Sequence, residues 1–150
     1  MLNGPTHYDV AQERLAGFRR AVTEKGLAIH QEWVVHSDFR QQGGYEAAMA
    51  LLRGPHRPRA LFVANYLMTL GTLMAIYELG LRIPQDVALV SFDDMPWAAA
   101  LNPPLTAVAQ PTHELGRTAA ELLLARLEDR SRAVRQVVLQ PRLIVRASSG

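Results

Sequence analysis

The stretch that most restricts the fold is 60–96, ALFVANYLMTLGTLMAIYELGLRIPQDVALVSFDDMP, which reads as strand, helix, strand. Residues 60–64 and 87–92 are short continuous apolar runs, the pattern of strands buried on both faces. Between them Asn65 is placed to cap a helix with its side-chain oxygen, and Gly80 can take the left-handed conformation that ends one. Two parallel strands with a crossover helix form a right-handed βαβ unit. Ligands of open parallel sheets bind beyond the carboxyl ends of the strands, where Asn65 and Asp93 both fall.

The rest of the chain extends this pattern. Residues 1–4 fit the tail of a strand, too short to be complete, so a preceding segment is expected. Leu15, Phe18 and Val22 recur at helical spacing over 9–25, with Asp9 as the expected cap and Gly26 as the stop. Residues 27–36 read as a strand and 37–39 as a loop. Gly43-Gly44 is expected to break the chain before a second helix that places Tyr45, Ala48, Met49 and Leu52 on one face, and Gly54-Pro55 stops it. After Asp94, 95–101 is apolar but too short to assign as a helix. Residues 105–109 resume as a strand, and Pro111 opens a helix through about Arg130 with Leu115, Ala119, Leu122, Leu123 and Leu127 as its apolar stripe. Residues 137–139 and 143–145 read as short strands, and 148–150 as a tail. Alternating strands and helices predict an α/β fold built on a doubly wound parallel sheet.

The helix over 66–79 has little polar face, so it needs cover on two sides: the sheet on one, and either the rest of a compact domain or a second subunit on the other. A domain of 150 residues has little room for doubly buried helices, which favours a subunit interface. Leu67, Leu70, Met74 and Tyr77, with Trp97, are the expected dimer-interface residues.

Composition excludes several classes. There is no cysteine, hence no disulfide framework and no thiolate metal centre. The net charge is +2, and Lys25 is the only lysine, so no concentrated basic block marks a nucleic-acid surface. No signal peptide or membrane-spanning run is visible, which predicts a soluble chain that is not exported and is compatible with the cytoplasm. The five histidines form no metal-ligand pair, Ser91 lacks the glycines of a nucleophile elbow, and no phosphate-binding glycine loop occurs. No cofactor or metal and no enzymatic activity are expected. Asp93 and Asp94 could do acid–base work or hold magnesium, but adjacent residues at a strand end point apart, which assigns Asp94 a structural role and leaves Asp93 to the crevice. Asn65 could equally be a plain helix cap. The arginines between 126 and 146 read as a solvated surface.

Taken together, Phe62-Val63-Ala64-Asn65, Ala75-Ile76, the run 80–87 (GLRIPQDV), Ser91-Phe92-Asp93-Asp94, Pro104-Leu105-Thr106-Ala107-Val108 with Gln110-Pro111, Leu115-Gly116 and the run 141–146 (PRLIVR) form a specific signature. Arg14-Leu15-Ala16-Gly17-Phe18, Asp38-Phe39 and Gly44-Tyr45 extend it upstream. The chain resembles the effector-binding domain of lactose-repressor-type (LacI/GalR) bacterial transcriptional regulators over essentially its whole length.

The resemblance implies a periplasmic-binding-protein-like fold, a Rossmann-like parallel sheet flanked by helices, truncated to mainly the C-terminal subdomain. It implies that 1–105 and 136–150 form that subdomain and that 106–135 crosses into the N-terminal one. Arg14, Phe39, Asn65 and Asp93 are implied effector contacts, a set whose hydrogen-bonding groups and flat apolar face suit a sugar or similar polar metabolite. The family's DNA-binding headpiece has no counterpart in these residues, so operator DNA is an expected partner only through that missing part. The helix over 111–130 would lack its usual partners, so self-association by exchange or repacking of that helix is expected. A solute-binding protein of a sugar transporter, which shares the fold, is the alternative reading.

Overall fold

The structure, a computed structural model, describes residues 1–150. One six-stranded sheet organises it, with strands β1 (Leu2–Asn3), β2 (Val35–His36), β3 (Ala60–Val63), β4 (Ala88–Phe92), β5 (Thr106–Ala109) and β6 (Arg142–Ile144) in the spatial order β2-β1-β3-β4-β5-β6. The first five are mutually parallel, and β6 closes the edge antiparallel to β5, with Val108 opposite Leu143. The strand order reverses between β1 and β3, the switch point where a crevice opens in sheets of this type.

Four helices connect the strands: α1 (Asp9–Glu24), α2 (Gln41–Arg53), α3 (Tyr66–Glu78) and α4 (Thr112–Glu128). Burial along β3 and β4 separates the two faces of the sheet. Leu61, Val63, Leu89 and Ser91 are buried, whereas Phe62, Val90 and Phe92 on the opposite face are only half-buried. Phe62 stacks on Phe18 of α1, with ring centroids 6.3 Å apart, so α1 covers that second face and leaves part of it open. The apolar runs 60–64 and 87–92 are thus sealed on one face by a continuous core that includes Ala48, Leu52, Met68 and Ile76 of α2 and α3.

The tight seal has a specific cause. A Cβ on Gly71 would lie 2.0 Å from the Gln41 carbonyl oxygen, and one on Gly44 would lie 2.5 Å from the Met68 backbone. Glycine at both points lets α2 and α3 approach backbone to backbone. This corrects the expectation that Gly43-Gly44 precedes the second helix: α2 starts at Gln41 and both glycines lie inside it.

Other local expectations also change. Tyr8, in extended conformation, precedes α1, and Asp9 is its first residue rather than its cap. The strand expected over 27–36 shortens to Val35–His36 behind a 3₁₀ turn at Gln31–Trp33. Residues 137–139 form no strand. Pro96–Ala100 is a 3₁₀ helix, and the expected tail contains another at Ala147–Ser149. Gly26 and Gly80 close α1 and α3 with φ of 64° and 66°, as their positions require.

α3 packs on the sheet beside α2, yet Met74 and Tyr77 remain about half exposed at 51% and 52%. Leu67 and Leu70 are half-buried on the same stripe. Trp97 lies in the 3₁₀ helix after β4, half-buried against the core. α4 contrasts with the other helices because none of its residues is buried. No helix is long and apolar enough to cross a membrane.

Candidate functional site

The carboxyl ends of the strands bring together Phe39 after β2, Asn65 after β3, Asp93 after β4 and Gln110 after β5, with Arg14 reaching in from α1. Asn65 has extended backbone and caps α3: its Oδ1 accepts the Met68 N–H at 2.9 Å. Its Nδ2 donates to the Phe39 carbonyl, also at 2.9 Å. One N–H and one oxygen lone pair remain for a ligand. Behind the cap, the Thr69 hydroxyl donates to the Asn65 carbonyl and lies 2.8 Å from the buried Ser91 hydroxyl, tying the cap to β4.

Phe39 has φ of 62°, a left-handed conformation uncommon for an aromatic residue, and the Asn65 amide holds its carbonyl. Its ring lies on bare backbone, since a Cβ at Gly4 would fall 1.9 Å from the ring. The Tyr8 ring is 6.1 Å away, centroid to centroid.

Asp93 also takes a left-handed conformation, with φ of 78°, and its backbone N–H donates to the Val108 carbonyl. Gln110 donates to Asp93 Oδ1 at 2.6 Å, leaving Oδ2 without a protein donor among the hydrogen bonds formed. Arg14 donates to the Ala64 carbonyl, and its guanidinium carbon sits 3.8 Å from the Phe92 ring centroid. Burial lowers the Arg14 pKa from its ordinary value, while the charge of Asp93 raises it. The guanidinium is therefore fixed by a carbonyl and an aromatic face and balanced by a nearby carboxylate.

Arg14, Phe92 and Gln110 line an open cleft of about 590 Å³ that continues over Phe18 and Phe62 on the half-covered face of the sheet. A larger cleft, about 1000 Å³, lies between α4 and 132–137, away from the strand ends. No group of three or more His, Cys, Asp or Glu side chains could hold a metal ion.

The two adjacent aspartates part as expected. Asp94 receives a two-pronged ion pair from Arg146, at 2.6 and 2.9 Å, and Arg146 also donates to the Leu105 carbonyl. The Arg146 side chain is only 19% exposed, which corrects its assignment to a solvated surface. Gln110 enters the sequence signature only as part of a motif. It is the first polar residue after β5, so the rule that selects Asn65 and Asp93 selects it too.

Geometry and sequence together define a ligand-binding half-cleft on a parallel sheet, and the chain belongs to the periplasmic binding protein-like domain family, whose profile matches residues 1–149. Among its relatives is the HTH-type transcriptional repressor PurR of Escherichia coli and Shigella boydii, 38% identical over 148 residues, which cover 99% of this chain and 43% of the relative. The chain thus spans less than half the length of these curated relatives. Among solved structures, the transcriptional regulator CelR in complex with cellobiose superposes with a TM-score of 0.89 at 36% identity, covering 98% of this chain and 45% of that one. The lac repressor dimer bound to operator and the anti-inducer ONPF gives 0.85 at 30% identity, with coverages of 99% and 44%. A regulatory protein of the LacI family from Chloroflexus aggregans gives 0.86 at 36%, with coverages of 99% and 54%.

Proposed function

We propose that this chain is the larger part of one subdomain of the effector-binding domain of a LacI-family transcriptional regulator, binding a sugar or similar small polar metabolite and contributing to a homodimer. In this reading 1–105 and 136–150 form the subdomain together with β5 (Thr106–Ala109), which pairs with β4 in the same sheet, the rest of 106–135 crosses to its neighbour, and operator contact belongs to a headpiece outside these 150 residues. The protein works in the cytoplasm, as a repressor must to reach DNA. Regulation follows if the effector prefers one arrangement of the subdomains over another.

The observation that carries the reading is the convergence of Arg14 from α1 on Asn65 and Asp93 at the ends of the adjacent strands β3 and β4, each fixed by a second protein contact and each with hydrogen-bonding capacity left over. Fixed donors and acceptors lose little freedom on binding a polyhydroxylated ligand. Phe39 supplies a flat apolar surface beside them. Leu67, Leu70, Met74, Tyr77 and Trp97 are assigned to the dimer surface; support comes from Met74 and Tyr77, about half exposed side by side on α3.

A thermal-shift panel of sugars, polyols and nucleobases tests the site. A ligand at 100 times its dissociation constant adds about 2.7 kcal/mol of stability. That shift should fall to about 0.3–1.3 kcal/mol with Arg14→Ala and with Asp93→Ala, each of which removes a charged hydrogen-bonding group worth about 1.5–3 kcal/mol. A shift unchanged in both variants refutes the assignment.

A further inference from the structure

Asp93 and Asp94 are adjacent in the chain, and each grips a different end of the antiparallel ribbon formed by β5 and β6. Asp94 holds the base. Both its oxygens pair with Arg146, which follows β6, and the same guanidinium donates to the Leu105 carbonyl just before β5. Asp93 holds the tip, where the chain leaves the sheet. Its backbone N–H donates to the Val108 carbonyl, and its Oδ1 accepts from Gln110, the first residue beyond β5. We propose that the two aspartates clamp the ribbon, permanently at the base and releasably at the tip, with Gln110 as the positioning residue that ties the exit of the chain to the Asp93 carboxylate. Its link to regulation rests on the reading above of Asp93 as an effector contact and of the residues beyond Gln110 as a crossing to a second subdomain.

The two grips differ in the way such a device needs. The Arg146 and Asp94 side chains are only 19% and 15% exposed, so parting them would leave two charges largely buried without partners. The tip is held by one side-chain bond. Gln110 is uncharged and half-buried, and its amide can exchange Asp93 Oδ1 for water. The backbone turns at the same place. Pro111 has φ of −78° and ψ of 66°, an inverse γ-turn closed by the Thr112 N–H on the Gln110 carbonyl. A turn closed by a single bond leaves the direction of exit to whatever holds Gln110. A ligand hydroxyl that donates to Asp93 Oδ2 fixes the plane of the carboxylate and keeps Oδ1 in front of the Gln110 amide. Ligand and latch then reinforce each other, and by linkage an arrangement that pulls Gln110 away weakens ligand binding by the same factor.

Amide exchange of the chain, followed by NMR, tests the clamp without any ligand, while the thermal-shift panel judges the effector reading. Gln110→Met keeps the length of the side chain and removes its donor. Exchange at the Asp93 and Thr112 amides should then quicken at least about fivefold, with Arg146 and Ser148 changing less than about twofold. Arg146→Lys keeps the charge and loses the two-pronged geometry, so it should quicken Arg146 and Ser148 and leave Asp93 as it was. Gln110→Glu sets two carboxylates together at the tip. They repel when both are ionised, and a shared proton restores a donor in acid. Protection of the Asp93 amide, relative to the parent at the same pH, should be lost at about pH 7 and return toward about pH 4. Arg14, the charged neighbour of Asp93, stays protonated across this range. A role for Gln110 in packing alone gives no such recovery. No change at Asp93 in Gln110→Met overturns the proposal, as does equal acceleration at both ends of the ribbon. So does loss of Asp93 protection in Arg146→Lys, or protection in Gln110→Glu that fails to return in acid.

Discussion

The side chain of Asn65 closes two local structures at once: it caps α3 through Oδ1 and anchors the left-handed turn at Phe39 through Nδ2. The two roles separate chemically. Asn65→Asp keeps the capping oxygen and loses the amide donor, so this variant should retain helix stability but release the Phe39 carbonyl. Asn65→Ala loses both and should cost about 1–2 kcal/mol in urea denaturation, the usual range for a lost cap. An effector that tolerates Asn65→Asp would show that the turn at Phe39 is not part of recognition. A second residue-scale prediction concerns pH. Hydrogen bonds from the Arg82 side chain and backbone, with the Arg82 charge adding to them, lower the Asp86 pKa from the ordinary 3.8 to about 2. Because the folded value is depressed, this carboxylate adds stability above its unfolded pKa and loses that contribution as pH falls through the interval from 3.8 to about 2. The melting temperature of Asp86→Asn should therefore converge with that of the parent across this window and diverge above it.

Between elements, the contact of α2 with α3 rests on what is absent at Gly44 and Gly71. Alanine would raise helix propensity by about 1 kcal/mol at either position. At Gly71 the added methyl would meet the Gln41 oxygen at 2.0 Å and the Tyr45 nitrogen at 2.5 Å, and neither is the yielding end of a side chain. The clash should win, and Gly71→Ala should lose about 2–3 kcal/mol net by chemical denaturation. Gly17→Ala in α1 meets nothing within 4 Å and should gain about 0.5–1 kcal/mol, which isolates the packing effect from propensity. This contrast also shows where sequence reading stops. A glycine pair reads locally as a break, and only the partner helix, two elements away, reveals it as a contact. The order of strands and helices, the apolar α3 and the polar residues at the ends of β3 and β4 were legible because each is a local pattern. The extent of β2, the loss of a strand at 137–139 and the Asp94–Arg146 pair depend on residues up to 52 positions apart, which no window of sequence brings together.

Across the whole molecule, the sheet is fastened at its far edge by residues that read as a tail. Ser148 is 1% exposed; its hydroxyl donates to the Leu89 carbonyl at 2.6 Å and accepts from the Thr106 N–H at 2.8 Å, joining the last turn of the chain to β4 and β5 together. Small polar residues near a chain end signal solvent in a sequence, and here the end is folded back against the core because two strand groups lack ladder partners at that point. Ser148→Ala leaves a buried carbonyl and a buried N–H unpaired. The cost of leaving such groups unsatisfied is about 1–3 kcal/mol, larger than the bond's net worth, because water cannot reach them. Ser149 offers the control. Its hydroxyl lies 2.9 Å from Thr106 Oγ1, but that oxygen keeps its bonds to the Arg146 carbonyl and N–H when Ser149 is removed. Ser149→Ala should therefore cost less than about 1 kcal/mol. Urea denaturation of the two variants should separate them. Amide exchange at Thr106 should accelerate in Ser148→Ala alone, and equal effects from both substitutions would mean that the chain end is not fastened through Ser148.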